Sequence, residues 1–309
     1  MAATPIAHAI KYHHRDWRSV LFNGLTGIAT LLIILMLATI IVDLIRGGYA
    51  RLSWEFLTKA PEEGMTAGGI FPAIFGTCAL VIMMSVLVMP VGVLTAIYLH
   101  EYANPYAWTT RLIRAAVSNL AGVPSIVFGL FGLGFFILFL GQALDRMLGQ
   151  DMLFGQPCLL WAAATMAVLT LPVVVVATEE ALRAVPYELR LASYALGATK
   201  WQTVWRVVVP EALPGILTGS ILSVSRGAGE VAPILFTGVA YFLPYLPWSP
   251  TSQFMHLGYH VYVMSTQSPD VEATMPIQYA TALVLTILTF TLNFIAVLIR
   301  ARMRRVTHE

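Results

Sequence analysis

Arg226 and Glu230 stand four residues apart inside a hydrophobic stretch, 213–242, that carries no other Asp, Glu, Lys or Arg. A helix entering near Gly215 would put Arg226 11 residues deep. At 1.5 Å per residue that is about 16 Å, the middle of a bilayer core about 30 Å thick. Glu230 would follow one turn further along the same face. A central arginine costs about 2.5–3.5 kcal/mol even on lenient insertion scales, so it must be paired or face a wet cavity. Two chemistries fit. In one, the pair locks helix packing and nothing more. In the other, Arg226 is an anion site, because its guanidinium stays protonated and offers a planar fork that matches an oxyanion such as phosphate. Glu230 would then hold Arg226 when the site is empty.

The remaining reactive residues form no catalytic set. His256 and His260 have the i, i+4 spacing of metal ligands, but no third ligand follows nearby and aromatic residues surround them. His13 and His14 belong to a basic N-terminal segment and suit solvent. Cys78 and Cys158 lie in or beside apolar runs, so they read as small lipid- or core-facing residues. None of the three lysines follows a glycine, and there is no HExxH. The chain is therefore expected to be no enzyme and to bind no metal or cofactor of its own.

The elements that hold Arg226 follow from composition. Apolar residues make up 58% of the 309 positions and charged residues 11%, with a mean hydropathy of +0.77. Soluble domains run near 45–50% and about 25%. So few charges cannot clothe a soluble surface, and a net charge of +2 offers no basic field for nucleic acid. Charge-free intervals at 19–42, 64–100, 115–144, 152–178 and 273–299 are each long enough to cross a bilayer. The stretch 213–242 crosses only with Arg226 and Glu230 inside it. The expectation is an all-α integral membrane fold of six spans, at about 19–44, 70–99, 117–141, 157–178, 214–241 and 277–299, with tails at 1–18 and 300–309. The first apolar run, of about 24 residues, exceeds a signal-peptide core and no small-residue cleavage site follows, so it should stay in the mature chain.

Thirteen of the 18 Lys and Arg fall on one side of these spans and four on the other, which puts both termini in the cytoplasm. Loop 241–278, on the outside, has neither. Pro90 and Pro124 fall inside the second and third spans. They suit structural kinks, and Pro124 with Ser125 could also line a pathway. Gly215, Gly219, Ser223 and Gly227 recur every four residues. That small-residue stripe suits close packing within the bundle or a seam with a second subunit.

The inside loop 179–213 is punctuated as two short helices. Pro186 suits a first turn, Gly197 a helix stop, and Thr199 with Gln202 a capping box, while Pro210 is expected to end the second helix. Trp201, Val204, Trp205 and Val208 make an apolar stripe at i, i+3, i+4, i+7. It can pack on the loop's own first helix, lie at the lipid interface, or be presented to a groove on another protein.

The segment Leu191-Ala192-Ser193, Gly197 and 207–210 resembles the EAA loop of ABC-importer permeases, with Leu191 in place of the usual Glu and Val209 in place of Leu. The resemblance implies a coupling helix around 195–203 that docks on an ATPase subunit through Ala192, Gly197, Ala198, Thr199, Trp201 and Pro210. GGIFPAIFGT at 68–77, AIYLHEYA at 96–103, AGVPSIVFGLFG at 121–132 and SRGAGEVAP at 225–233 are similar to the PstA-type permeases of phosphate ABC importers. Gly227 and Val231 depart from that last pattern. The family implies a type I importer permease fold in a bacterial or archaeal inner membrane. It implies translocation roles for Ser225, Arg226 and Glu230. The implied partners are a sister permease in a heterodimer, an ATPase dimer that uses ATP and Mg, and a phosphate-binding protein docked on the outside loops 241–278 and 47–68. A permease for phosphonate, sulfate or molybdate is the first rival. A stand-alone secondary transporter, which would need an internal inverted repeat, and a membrane scaffold or sensor are the others.

Overall fold

The computed structural model describes residues 17–62, 65–268 and 270–307. His13, His14, Lys11 and Arg15 lie outside the described residues. Helix α1 spans Trp17–Gly48, and the short α2, Trp54–Thr58, starts where the Ser53 hydroxyl accepts from Phe56 N–H at 3.1 Å. A two-residue antiparallel pair, β1 (Pro61–Glu62) with β2 (Ala67–Gly68), is the one departure from helix pairing among the named elements. Helix α3, Phe71–Ile97, has Pro72 in its first turn, where a missing N–H costs no bond. Wider i→i+5 turns extend it to Tyr102. Helix α4 is Trp108–Leu120. Helix α5, Ser125–Phe131, runs through similar turns into α6, Gln142–Leu148, as one rod. Helix α7 is Leu159–Ala184 and α8 is Tyr187–Ala195. Helix α9, Lys200–Thr203, continues without a break into α10, Val209–Gly229. Helices α11, Leu257–Thr266, and α12, Val271–Thr307, close the chain. Among the described residues six helices or rods are long and apolar enough to cross a membrane.

The centre of the bundle is α3, α7 and α10. Leu80, Met84 and Val88 of α3 bury against Leu159, Ala162, Met166 and Val174 of α7. The small-residue stripe faces inward. An ideal Cβ on Gly215 or Gly219 would fall 2.5 and 2.4 Å from the methyls of Ala181 and Ala177 on α7. Ser223 is buried as well. The stripe is therefore spent on packing inside the bundle, not left for a second chain. Helix α1 stays exposed along most of its length and touches the rest chiefly where Gly47 and Gly48 seat on Tyr279 and Ala280 of α12.

Four expectations are corrected. The third crossing starts at Ser125, not near 117: residues 121–124 form a turn, and α4 before it is a separate amphipathic helix. Pro124 therefore caps a helix and kinks none. Pro210 does not end a helix. Val209 N–H reaches back to Val204 O across a widened turn, and the proline falls in the first turn of α10, where its missing N–H leaves no gap. The segment expected as a tail from 300 is helical to Thr307, because α12 runs on past the apolar span. Lastly, the fifth crossing is not one helix over 214–241. It begins at Lys200 and stops at Gly229.

That stop falls inside the bundle. Gly227 seats against Met84, at the middle of α3, and near Met166 of α7. Residues 230–256 then fold back irregularly, burying Ile234 and Phe254 in the core. They also cap α7: its first N–H groups, on Cys158, Leu159 and Leu160, donate to the carbonyls of Thr237, Ser252 and Pro250 at 3.0, 2.9 and 2.8 Å. A helix start buried without such acceptors would leave those donors unpaired. Irregular backbone at this depth is stable only where protein encloses it.

Candidate functional site

Arg226 lies in the last turn of α10, where a cation suits the negative end of the helix dipole. It is at the mid-height of α3, as its neighbour Gly227 shows by meeting Met84. Glu230 is not on the helical face. It caps α10 with extended backbone, φ −81° and ψ 130°, because the chain has already turned away. Arg226 Nε is 3.9 Å from Glu230 Oε1, and the two side chains keep 42% and 27% of their surface exposed. The pair is therefore loose. Among the described residues neither group has another charged partner within salt-bridge reach. The guanidinium fork is left open toward the exposed side of α10. Ser225 turns the other way: its hydroxyl donates to Ile221 O at 2.9 Å and to Asn293 Oδ1 of α12.

Pro124 and Ser125 stand at the head of α5. One turn later Gly129 backs onto the carbonyls of Ala232 and Pro233, so α5 flanks the segment that follows Glu230. No hydrogen bond or ion pair among the described residues joins Pro124 or Ser125 to Arg226.

The loop at the basic end of the bundle turns at Gly197, with φ +84°, a left-handed conformation that glycine adopts without strain. The segment 195–203 thus holds the corner between α8 and α9 that Gly197 predicts, and the helix within it is the short α9. Thr199 accepts from Gln202 N–H at 3.3 Å and the Gln202 side chain accepts from Thr199 N–H at 2.9 Å, so the capping box is present. The Ser193 and Thr203 hydroxyls meet at 2.9 Å across the corner. The apolar stripe divides. Val204 and Val208 bury against Leu182, Val185 and Ile97. Trp201, whose ring centroid lies 5.2 Å from that of Trp205, stays 62% exposed, and Leu196 at the tip is 90% exposed. Ala192 and Leu191 are also exposed, Ala198 is half-buried, and Pro210 lies inside the rod.

Sequence reading missed what anchors this corner. Arg190, on α8, is buried. Its Nη1 donates to Val185 O at 2.8 Å and its Nη2 to Leu182 O at 3.0 Å and to Glu101 Oε1 at 2.9 Å. Glu101, at the end of the α3 rod, also meets His100 Nδ1 at 3.1 Å. Nearby, Arg114 Nη2 donates to Leu99 O at 3.0 Å and lies 3.0 Å from Glu179 Oε1, a charge contact without hydrogen-bond geometry. His100, Glu101 and Arg190, with Arg183, Tyr187, Tyr194 and Lys200, line a cleft of about 560 Å³.

At the opposite end His256 and His260 are buried, and Gly258 N–H donates to His256 Nδ1 at 3.1 Å. Desolvation pushes both imidazoles down to about 4. Among the described residues no three His, Cys, Asp or Glu gather as metal ligands would. Cys158 is buried, and Cys78 half-buried in a cleft with Phe75, Ile82 and Met83.

Comparison with known proteins fits this geometry. Residues 88–305 match the family described as binding-protein-dependent transport system inner membrane component. The probable ABC transporter permease protein YqgI of Bacillus subtilis is 33% identical over 266 residues, 82% of this chain and 86% of that one. Phosphate transport system permease protein PstA 1 of Mycobacterium tuberculosis is 42% identical over 182 residues, 59% of this chain and 55% of that one. A chain in the crystal structure of a bacterial alginate ABC transporter shares the fold, with a TM-score of 0.62 at 18% identity over 95% of this chain and 98% of that one.

Proposed function

We propose a function from one premise: the chain belongs to the binding-protein-dependent transport system inner membrane component family. It is the permease subunit of an ATP-driven importer of inorganic phosphate, and it forms half of the translocation pathway. Relatives named as phosphate permeases support the substrate. The observation that carries the site is the open guanidinium of Arg226, held at mid-bundle by a carboxylate 3.9 Å away. Arg226 takes the anion bidentately. Glu230 holds the arginine when no anion is present and limits how tightly it binds. Ser225, tied to Asn293, fixes the helix turn on which Arg226 rides, and Pro124 with Ser125 flank the route.

A pathway between two permeases needs a second chain, so a sister permease covers the exposed side of α10, with lipid or that sister along α1. The basic end faces the cytoplasm, with both termini there, in the inner membrane of a bacterium or archaeon. The corner carrying Ala192, Leu196, Gly197, Ala198, Thr199 and Trp201 docks on an ATPase dimer, which uses ATP and Mg; the widened turn at Val204–Val208 accommodates Pro210 and so keeps the rod continuous from that corner to Arg226. A phosphate-binding protein docks on the opposite face, where Trp54, Tyr245 and Trp248 stand exposed. An arginine fork also fits sulfate, molybdate or phosphonate, which is the alternative reading.

The test is uptake of radiolabelled phosphate by cells carrying the chain as sole permease of its kind, with ATP hydrolysis by the gently extracted complex measured beside it. Hydrolysis stimulated by phosphate and its binding protein, and not by sulfate or molybdate, is expected. Arg226→Ala should abolish uptake at normal protein levels. Unchanged uptake by that variant would remove Arg226 from the pathway. Stimulation by another oxyanion alone would reassign the substrate.

A further inference from the structure

Helices α10 and α12 run antiparallel and are joined by two polar rungs. At one, Ser225 meets Asn293. At the other, Arg300 Nη1 donates to Thr218 Oγ1 at 2.9 Å. The rungs are seven residues apart on each helix, two turns, as an antiparallel seam in register requires. Thr218 donates its own proton to Pro214 O at 2.8 Å, so it offers Arg300 a lone pair and nothing more.

Arg300 is thus not a freely solvated tail residue. A long basic side chain at a helix end would ordinarily snorkel toward headgroups. This one is half-buried and reaches sideways into the seam. Among the described residues no carboxylate lies within salt-bridge reach of it. One neutral hydroxyl leaves its charge uncompensated and its other N–H groups available. Thr218 faces α12, and eight residues on, about 80° round the helix, Arg226 lies on the adjoining exposed face of α10, so the two arginines border one edge of that helix. The distance along α10 from Thr218 to Arg226 is eight residues, about 12 Å.

We infer that Arg300, positioned by Thr218, is a second oxyanion station on the cytoplasmic half of the route, inward of Arg226. An anion released from Arg226 would otherwise have to cross that interval without a counter-charge. A second uncompensated cation lowers that barrier, and the hydroxyl holds the guanidinium in the seam so that it cannot swing out to lipid. This inference rests on the reading of Arg226 as an anion site.

The test uses the complete transporter in proteoliposomes, with Arg300→Gln, Arg300→Lys and Arg226→Ala compared at equal incorporation. Arg300→Gln should lower the maximal phosphate uptake rate about tenfold, with the half-saturating phosphate concentration little changed, because capture takes place outside. Arg300→Lys, which keeps the charge, should recover most of the rate. A second measurement covers the case in which Arg300→Gln fails to assemble. In a chain with Cys78 and Cys158 replaced by Ala, Leu222→Cys, which stands exposed between the two stations and leaves Thr218 in place, is labelled from the cytoplasmic side with a cationic thiol reagent, and phosphate should slow that labelling. Normal uptake by Arg300→Gln overturns the inference while a dead Arg226→Ala leaves the Arg226 reading standing. Labelling that phosphate does not slow overturns it equally. Normal uptake by Arg226→Ala overturns the reading on which both stations depend, whatever Arg300→Gln does.

Discussion

Arg190 and Glu101 lie 89 residues apart in the sequence and 2.9 Å apart in space. The same guanidinium holds the carbonyls of Leu182 and Val185, at the end of α7. One buried side chain thus fastens α8 to the ends of both α7 and the α3 rod. The clamp joins the corner at Gly197 by continuous packing to α3, whose Met84 packs against Gly227 beside Arg226.

This clamp yields the first prediction. Removing one partner of a buried pair strands the other and costs about 3–5 kcal/mol. Arg190→Ala should therefore lose phosphate uptake while the chain still inserts in the membrane. Arg190→Lys should not rescue it, since an ammonium cannot span three acceptors in a fixed plane. Glu101→Gln, which keeps an acceptor oxygen, should be milder than Glu101→Ala. The measurement is uptake per copy of assembled transporter. An Arg190→Ala transporter that imports at the normal rate would show the clamp to be dispensable.

The glycine seam gives the second. A Cβ on Gly219 collides with Ala177, on a rigid helix that cannot retreat far. Overpacking of this kind costs about 1–3 kcal/mol. Gly219→Val should lower the thermal midpoint of the detergent-extracted chain by several degrees. Gly134→Ala, where nothing lies within 4 Å, should leave it unmoved. Equal midpoints for the two variants would mean that α10 and α7 are less tightly apposed than described.

Much of this arrangement was written in the sequence, and the parts that were not share a cause. Charge-free runs located α1, α3, α7 and α12 because lipid tolerates few charges, and Gly197 with Thr199 and Gln202 located the corner because caps are local chemistry. The turn at 121–124 was hidden because it is as apolar as the helix after it. The end of α10 was hidden for the same reason: residues 231–243 are hydrophobic enough to read as helix, and only their burial inside the bundle lets them be irregular. Arg226 and Glu230 stood out as charges, yet their mutual placement depends on that hidden stop. Asn293, Glu101 and Thr218 drew no notice in the sequence, since their roles come from partners on distant helices.

The third prediction concerns pH. His256 and His260 are neutral in the fold, pushed down to about 4 by burial. In the unfolded chain they take up protons below about 6.5. The unfolded state therefore binds more protons as pH falls, and stability is full above about 6.5 and declines toward 4. At pH 5 the loss is about 2 kcal/mol per histidine. The segment 250–266 should open first, because these side chains sit in it. The protection of that segment, its exchange rate set against the intrinsic rate at the same pH, should fall between pH 7.5 and 5, and His256→Asn, whose amide oxygen can still accept from Gly258 N–H, should flatten the response. Protection independent of pH would contradict the neutral, buried assignment.

The fourth concerns the tip of the corner. Leu196 is 90% and Trp201 62% exposed, while Val204 and Val208 on the same loop are buried. A large apolar side chain held out by a capped corner, as Leu196 is and as Trp201 is on the side away from Trp205, offers area to a partner groove. The corner itself does not need either side chain, since Gly197, the Thr199 cap and the Ser193–Thr203 contact hold it. Trp201→Glu and Leu196→Asp should therefore leave the extracted chain as stable as before and yet sharply reduce the ATPase that co-purifies with it. Val204→Glu should act differently, unfolding the loop by placing a charge among Leu182, Val185 and Ile97. The decisive comparison is the ratio of ATPase retained to thermal midpoint for the three variants. If all three lose stability together, the exposed side chains are part of the loop's own packing and the docking surface lies elsewhere.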